Sequence, residues 1–550
     1  MESTASREKR EPDDNVAVPA IKISDSPTKR LDARSAPTSL NAHLAKFGFF
    51  ASAVGVAAWI ARMAFDPRFQ RFAMTFPDSF DYFDVAKLGP LRFGEFFFGR
   101  RPIGYPLFIW ILGGTPGRVI TVQVVLYAIA WLYLITTVFR IWDSKVVASV
   151  TALVLLLLGL HPKYSVWSVN TLSEGLAITS TVAAVAGWLR WAAWPDRRRL
   201  VTASLITLAW TSLRDSNAVN IMVIGGGLLG ILVIRHLWAK RNVKLLLTPS
   251  NIASIETEVE AELLEGPVKE SATETATGHT APQITAPVAS TKQLKLPKRP
   301  FFRSQPLALA LAIFLGFSIY QLFSQTVSQR ARYAIYNNVG RDVLPNPELL
   351  KFFFDHGMPN PSALAARTGK DSWGDGPDSW LLNPQLADFR KWAEGDGRTL
   401  IVRAIIVKSP LYWRMLAHDW KAFNGDGSGN YDTFGAYSRS PKTPGRRVLV
   451  APTLNMSLYC CIAGFGIAIA LARSRRDLRM ALLGGLFSFA AVFDIYLCFV
   501  GDADERYRHI ISGYLRLDLG ALLAISWATD RVVRKLSIFR SARRLGTATT

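Results

Sequence analysis

Residues 116–139 read PGRVITVQVVLYAIAWLYLITTVF, and from Val119 to Phe139 there is no Asp, Glu, Lys or Arg. An α-helix rises about 1.5 Å per residue, so this run crosses the roughly 30 Å hydrocarbon core of a bilayer. Comparable apolar blocks recur along the chain at about 46–65, 145–160, 172–193, 200–213, 218–238, 305–324, 453–472, 479–500 and 510–529. With 116–139 they make about ten expected transmembrane helices. The composition agrees. Of 550 residues, 50% are hydrophobic and only 19% charged, and the mean hydropathy is +0.18. The fold class expected is an all-α polytopic membrane protein.

The net charge of +22 could suggest a nucleic-acid partner, but its distribution argues against one. The basic residues cluster in short loops between apolar blocks, as the positive-inside rule expects. With both termini cytoplasmic, the inner loops hold Arg197–Arg199, then Arg235, Lys240, Arg241 and Lys244, then Arg473, Arg475, Arg476 and Arg479. The C-terminal 531–550 is a basic cytoplasmic tail. The three cysteines, Cys460, Cys461 and Cys498, all fall in apolar blocks, which speaks against a disulfide framework or a zinc site.

Residues 1–45 are polar and mixed in charge, with no cleavable signal peptide in evidence. They read as a disordered cytoplasmic tail. Residues 46–239 form an N-terminal transmembrane module with a first outer loop at 66–115. The 240–304 stretch, rich in Thr, Ala, Glu and Pro, reads as a disordered cytoplasmic linker. A single helix at 305–324 leads to an outer, mainly helical domain at 325–451, with turn breaks at Gly395, Gly397 and Pro410. The C-terminal helices lie in 452–530.

The first outer loop opens with PDSFDYFDVAK, residues 77–87. If it is helical, Asp78, Asp81 and Tyr82 fall on one face at i, i+3 and i+4. A carboxylate beside a membrane-embedded cavity can take a proton from an attacking hydroxyl, or can hold a divalent cation. A solvated helix face explains the pattern about as well. The following FGEFFFGRRPIGYPLF sets Phe96–Phe98 before Arg100, Arg101 and Tyr105. The aromatics suit an interfacial helix, and the arginines lie where a lipid phosphate would sit.

The order of three motifs resembles a known family: Asp-Ser-x-x-Tyr followed by RRPIGYPLF, then NTLSEGLAI at 170–178, then DERYRH at 504–509. The chain is similar to the GT-C superfamily of polyprenyl- or dolichyl-phosphate-sugar-dependent glycosyltransferases, nearest in pattern to the protein mannosyltransferases and lipid A aminoarabinose transferases. The resemblance covers about 46–240 and, more weakly, 453–529. It implies a site on the outer face and a polyprenyl-phosphate-linked sugar donor. The acceptor is a glycan, a lipid or a protein. In that family a first-loop carboxylate acts as general base, a role the resemblance implies for Asp78, with Asp81 as the alternative. Many relatives have two adjacent acids where Ser79 follows Asp78 here, so a divalent cation such as Mg or Mn stays an open cofactor.

Glu174 matches a family acid, although Ser173 and Glu174 also suit a helix N-terminus. Arg214 and Asp215 sit at a break between spans, where they could pair with each other or offer Arg214 to the donor phosphate. The cluster Arg506, Tyr507 and Arg508 is better placed for that phosphate, and Arg506 is the favoured residue. Arg516 and Asp518 read as paired within the bundle, Asp494 has no evident partner, and His161 and Lys163 read as ordinary loop residues. The expected location is a multi-pass protein of the bacterial plasma (inner) membrane. The competing readings are a lipid or polysaccharide transporter or flippase, and a non-enzymatic assembly protein. No internal repeat supports a transporter.

Overall fold

The computed structural model describes residues 50–58, 77–246, 305–328, 330–372, 379–423, 454–472, 474–501 and 506–547, with isolated residues at 43, 47, 48 and 503. The regular structure among them is entirely helical. The expected N-terminal tail, most of the expected 240–304 linker and the 424–451 end of the expected outer domain lie outside the described residues.

Three helices form the first loop: α1 (Pro77–Leu88), α2 (Phe93–Phe97) and α3 (Gly104–Ile111). Next come α4 (Pro116–Ile141), α5 (Lys145–Leu160), α6 (Ser173–Ala193), α7 (Arg197–Ser212), α8 (Asp215–Leu246) and α9 (Gln305–Val327). A second group contains α10 (Ala331–Asn338), α11 (Pro347–Asp355), α12 (Ala387–Glu394), α13 (Asp396–Val407) and α14 (Ser409–Phe423). The chain closes with α15 (Leu454–Ala470), α16 (Arg475–Gly501) and α17 (Ile511–Thr547). Local chemistry sets several boundaries. Pro116 opens α4 in its first turn, where its missing N–H costs nothing. The Ser144 and Asp196 side chains cap α5 and α7. The outer-domain breaks fall near Gly395 and before Pro410, whereas Gly397 lies inside α13.

Among the described residues, five helices are long and apolar enough to cross a membrane: α4, α6, α8 to Ile234, α9 and α16. A sixth is reached if α5 and Lys163–Val169, bent by 57°, count as one broken span. The expectation of ten is therefore met only in part. The block at 46–65 is described only over part of its length. The block at 200–213 is a 16-residue helix, α7, and that at 453–472 a 17-residue helix, α15. The block at 510–529 belongs to the 37-residue α17, which carries Arg516, Asp518 and Asp530.

One apolar core joins α4, α5 and α6 to the middle of α17, around Tyr127, Trp131, Leu155 and Leu519. A second core is shared between the 331–423 helices and the ends of α15, α16 and α17, with Tyr336, Phe353 and Trp380 in one cluster with Phe499 and Tyr514. The bundle has a basic end. There Asp143 meets Arg531 at 3.1 Å and Arg534 at 2.9 Å, and Arg476 donates to the Ile141 carbonyl at 3.0 Å. Ile511 to Asp530 of α17 spans about 30 Å, close to a bilayer core, so the residues just before Ile511 lie at the opposite end.

Two buried carboxylates inside the bundle have partners there, as buried charge requires. Arg516 pairs with Asp494, which also accepts from Asn220 Nδ2 at 2.5 Å. Asp518 accepts instead from Tyr164 Oη and Ser457 Oγ, each at 2.5 Å. Lys163 is buried, with its Nζ 3.6 Å from the Tyr514 ring centroid, so it is not a loop residue in water.

Candidate functional site

The first-loop acids sit on one helix face, as their spacing predicts. In α1, Asp78 lies in the first turn, where the helix dipole favours a carboxylate. The helix leans on α3 through Tyr82 and Tyr105, whose rings meet edge to face at 4.9 Å. Arg101, from the turn between α2 and α3, donates from Nη2 to Asp78 Oδ1 at 2.6 Å and to Asp81 Oδ2 at 2.8 Å. Its guanidinium carbon lies 5.0 Å from the Tyr82 ring centroid. The other oxygen of Asp78 accepts from Arg508 Nη2 at 2.7 Å. Arg508 Nε lies 3.3 Å from Glu174 Oε1. Asp78, Arg101, Arg508 and Glu174 therefore form one ion cluster, with Asp81 at its more exposed edge.

The cluster has a rigid floor. Glu174 is held at the start of α6 beside Ser173, whose hydroxyl is 2.9 Å from Tyr82 Oη. The turn before α6 is clasped by Gln123 of α4, which donates to the carbonyls of Trp167, Ser168 and Asn170 at 3.1, 3.0 and 2.9 Å. Gln123 in turn accepts from Tyr105 Oη at 3.2 Å. Gly175 is required at this contact, since a Cβ there would overlap Gln123 Nε2 and the Trp167 carbonyl.

Arg214 and Asp215 do not pair with each other. Asp215 binds Arg330, with Nε to Oδ2 at 2.8 Å and Nη2 to Oδ1 at 2.5 Å. Arg214 Nη2 stands 2.5 Å from His509 Nδ1. Because the arginine donates, Nδ1 accepts and the ring proton sits on Nε2. Arg506 turns away from the acids. It pairs with Asp342 in the π-helical turn Val339–Val343 and lies 3.4 Å from Asp419 of α14. It also donates to the Phe499 carbonyl at 3.2 Å and covers the Phe499 ring at 4.0 Å. The same segment is held by Asn338, which donates to the carbonyls of Val500 and Gly501 at 3.1 and 3.2 Å.

The structure thus brings together Asp78, Asp81, Tyr82, Arg101, Glu174 and Arg508, with Tyr105 and Arg214 one contact removed. Arg100 is exposed and outside the cluster, and the side chain of Tyr507 is outside the described residues. The sequence reading passed over Gln123, His509, Arg330 and Asp342. Gln123 had one signal, a lone amide inside an otherwise apolar span.

Electrostatics follows from burial and charge together. Burial alone would raise the Asp78 carboxyl, but Arg508 and Arg101 outweigh it and hold it well below the usual carboxylate range. Burial, then the charges of Arg214 and Arg508, push His509 well below the usual imidazole value, so it stays neutral. The donor set does not fit a divalent cation. A guanidinium bridges Asp78 to Asp81, and the described residues contain no group of three or more His, Cys, Asp or Glu side chains suited to a metal. Two guanidiniums that converge on one carboxylate can also converge on a phosphate, whose oxygens offer the same acceptor geometry.

No family model matches the chain, and neither a curated protein nor a solved structure matches it.

Proposed function

We propose that this chain is an integral-membrane glycosyltransferase of GT-C type. It moves a sugar from a polyprenyl-phosphate donor to a glycan, lipid or protein acceptor on the outer face of a bacterial plasma membrane. The observation that carries the reading is the convergence of Arg101 and Arg508 on Asp78 beside Glu174, at the end of the bundle opposite its basic end. The positive-inside rule makes that end the outer one.

In the resting arrangement Asp78 is a weak base, because two arginines stabilise its charge. A donor phosphate that takes over Arg508 and Arg101 leaves the carboxylate less stabilised and more basic. Asp78 then accepts the proton of the acceptor hydroxyl as that oxygen attacks the anomeric carbon. The bond from this carbon to the phosphate oxygen breaks, and the polyprenyl phosphate departs with its growing negative charge against the arginines. The buried Arg516–Asp494 pair is the feature a transporter would share.

The test is sugar transfer by membranes given a labelled polyprenyl-phosphate sugar. Asp78→Asn keeps the shape and removes the base, so transfer should fall by about two to four orders of magnitude. Normal turnover in this variant would reject the assignment. No transfer by the parent chain with any such donor would favour the transport or assembly alternatives.

A further inference from the structure

We propose that the face of the consecutive helices α13 and α14 formed by Val402, Ile406, Val407, Pro410 and Trp413 is a membrane-docking surface, seated on the same bilayer that the bundle crosses. The proposal rests on the membrane reading of the bundle, and not on the glycosyl-transfer chemistry.

Three observations carry it. The first is the patch itself. The opposite side of the two helices is core, with Leu400, Ile401, Ala404, Tyr412 and Leu416 buried. Yet Val402, Ile406 and Val407 are 58%, 70% and 56% exposed, and Trp413 is 43% exposed. Val402 and Ile406 stand one helical turn apart, and past the one-residue break at Lys408 the exposed apolar positions continue with Pro410 and Trp413. A run of branched aliphatics ending in a tryptophan is costly in water and suits the boundary between headgroups and acyl chains.

The second observation is depth. The α13–α14 segment is tied at two points, near the start of each helix, to two candidate spans close to their ends. At its start, Arg398 Nη1 donates to the carbonyl of Thr326, one residue before the end of α9. Further on, Trp413 stacks on Tyr496 at 4.3 Å and 13°, and Tyr496 belongs to α16. Tyr496 lies about one and a half turns inside the end of that span. The exposed stretch between the two ties therefore runs level with the span ends, where a bilayer surface must begin.

The third observation is charge. Arg403 and Arg414 are exposed beside the apolar line and Lys408 lies at its break. With Glu348 the one acid they meet among the described residues, at 3.8 Å from Arg414 and 3.0 Å from Lys408, the rim keeps an excess of positive charge that anionic headgroups attract. A second protein could cover an apolar face, but the span-end ties and the basic rim both match a lipid surface.

The test uses the full chain with Cys460→Ser, since Cys461 and Cys498 are buried. Nitroxide labels are placed singly through Ile406→Cys and Val402→Cys. The protein is reconstituted in vesicles of phosphatidylcholine and phosphatidylglycerol. Collision rates are read with oxygen, which partitions into lipid, and with a water-soluble nickel chelate. Two reference sites set the scale: Ile129→Cys on the exposed middle of α4, and Lys351→Cys on α11. The expected result is a high oxygen-to-nickel ratio at 406 and 402, near that of 129, and a low ratio at 351. A water-like ratio at 406 and 402, with 129 in lipid, would overturn the docking surface and leave the membrane reading standing. Low collision rates with both reagents at 406 and 402 would mean that protein covers the face, which also overturns it. A water-like ratio at 129 would instead remove the membrane reading on which the proposal rests.

Discussion

Arg506 and Arg508 are two positions apart and meet different parts of the molecule. Arg508 faces Asp78 and Glu174, while Arg506 faces Asp342 and Asp419. Lysine keeps the charge at either position and loses the planar fork. Arg508→Lys should therefore lower sugar transfer by about a hundredfold, the scale of one lost transition-state donor. Arg506→Lys should act mainly on stability, by about 1–3 kcal/mol, through weakened charge-assisted hydrogen bonds. Transfer rates and thermal unfolding of the two variants, measured side by side, separate the roles. The opposite ranking would return the phosphate to Arg506.

His509 supplies a pH signature. It stays neutral when folded, whereas the unfolded chain binds a proton there below about pH 6.5. The unfolded state then holds the extra proton, so stability contributed at this site is lost as pH falls through that value. Asp78 behaves differently: its depressed carboxyl contributes stability at all pH values above about 4 and loses it only in stronger acid. The unfolding temperature should drop between pH 7 and pH 5. His509→Asn, which keeps an acceptor for Arg214 and removes the titration, should flatten that drop. An unchanged slope would place the titrating group elsewhere.

At the scale of elements, the clasp between α4 and the turn before α6 decides where Glu174 stands. Gln123 satisfies three carbonyls that the bent segment leaves open, and Gly175 permits the close approach. Gly175→Ala forces the turn off the amide and should cost about 1–3 kcal/mol, the range for overpacking. Thermal unfolding reads the stability loss, and transfer should fall with it because Glu174 moves relative to Arg508. An alanine variant with parent stability would show that the clasp yields without strain.

At the scale of the whole molecule, the two ends of the bundle differ in charge chemistry, and the proposed orientation rests on that difference. A cysteine at position 280, in the linker outside the described residues, should react with an impermeant reagent only after the cells are opened. One at position 351 should react in intact cells. Labelling of 280 from outside would reverse the orientation. Deletion of 250–290 should leave folding and transfer near parent values, because its composition offers little apolar surface to pack.

The sequence by itself determined the all-helical class with apolar helices of membrane-spanning length, the breaks at Leu213–Arg214 and Gly395, and the face shared by Asp78 and Asp81. These depend on hydropathy runs and on spacings of three or four residues, which are local quantities. The number of long apolar helices was less legible, since α7, α15 and α17 are short or charged and are stabilised by neighbours that a hydropathy window does not see. Only the tertiary structure decided which acid each arginine meets. Successive residues of the turn Arg506–His509 point about 100° apart, so Arg506, Arg508 and His509 face different partners. One of them, Asp78, lies 430 residues earlier in the chain. Arg214 meets His509 and Arg516 meets Asp494 for the same reason: a buried charge pairs with whatever opposite or accepting group packing brings beside it, and sequence distance does not enter that energy.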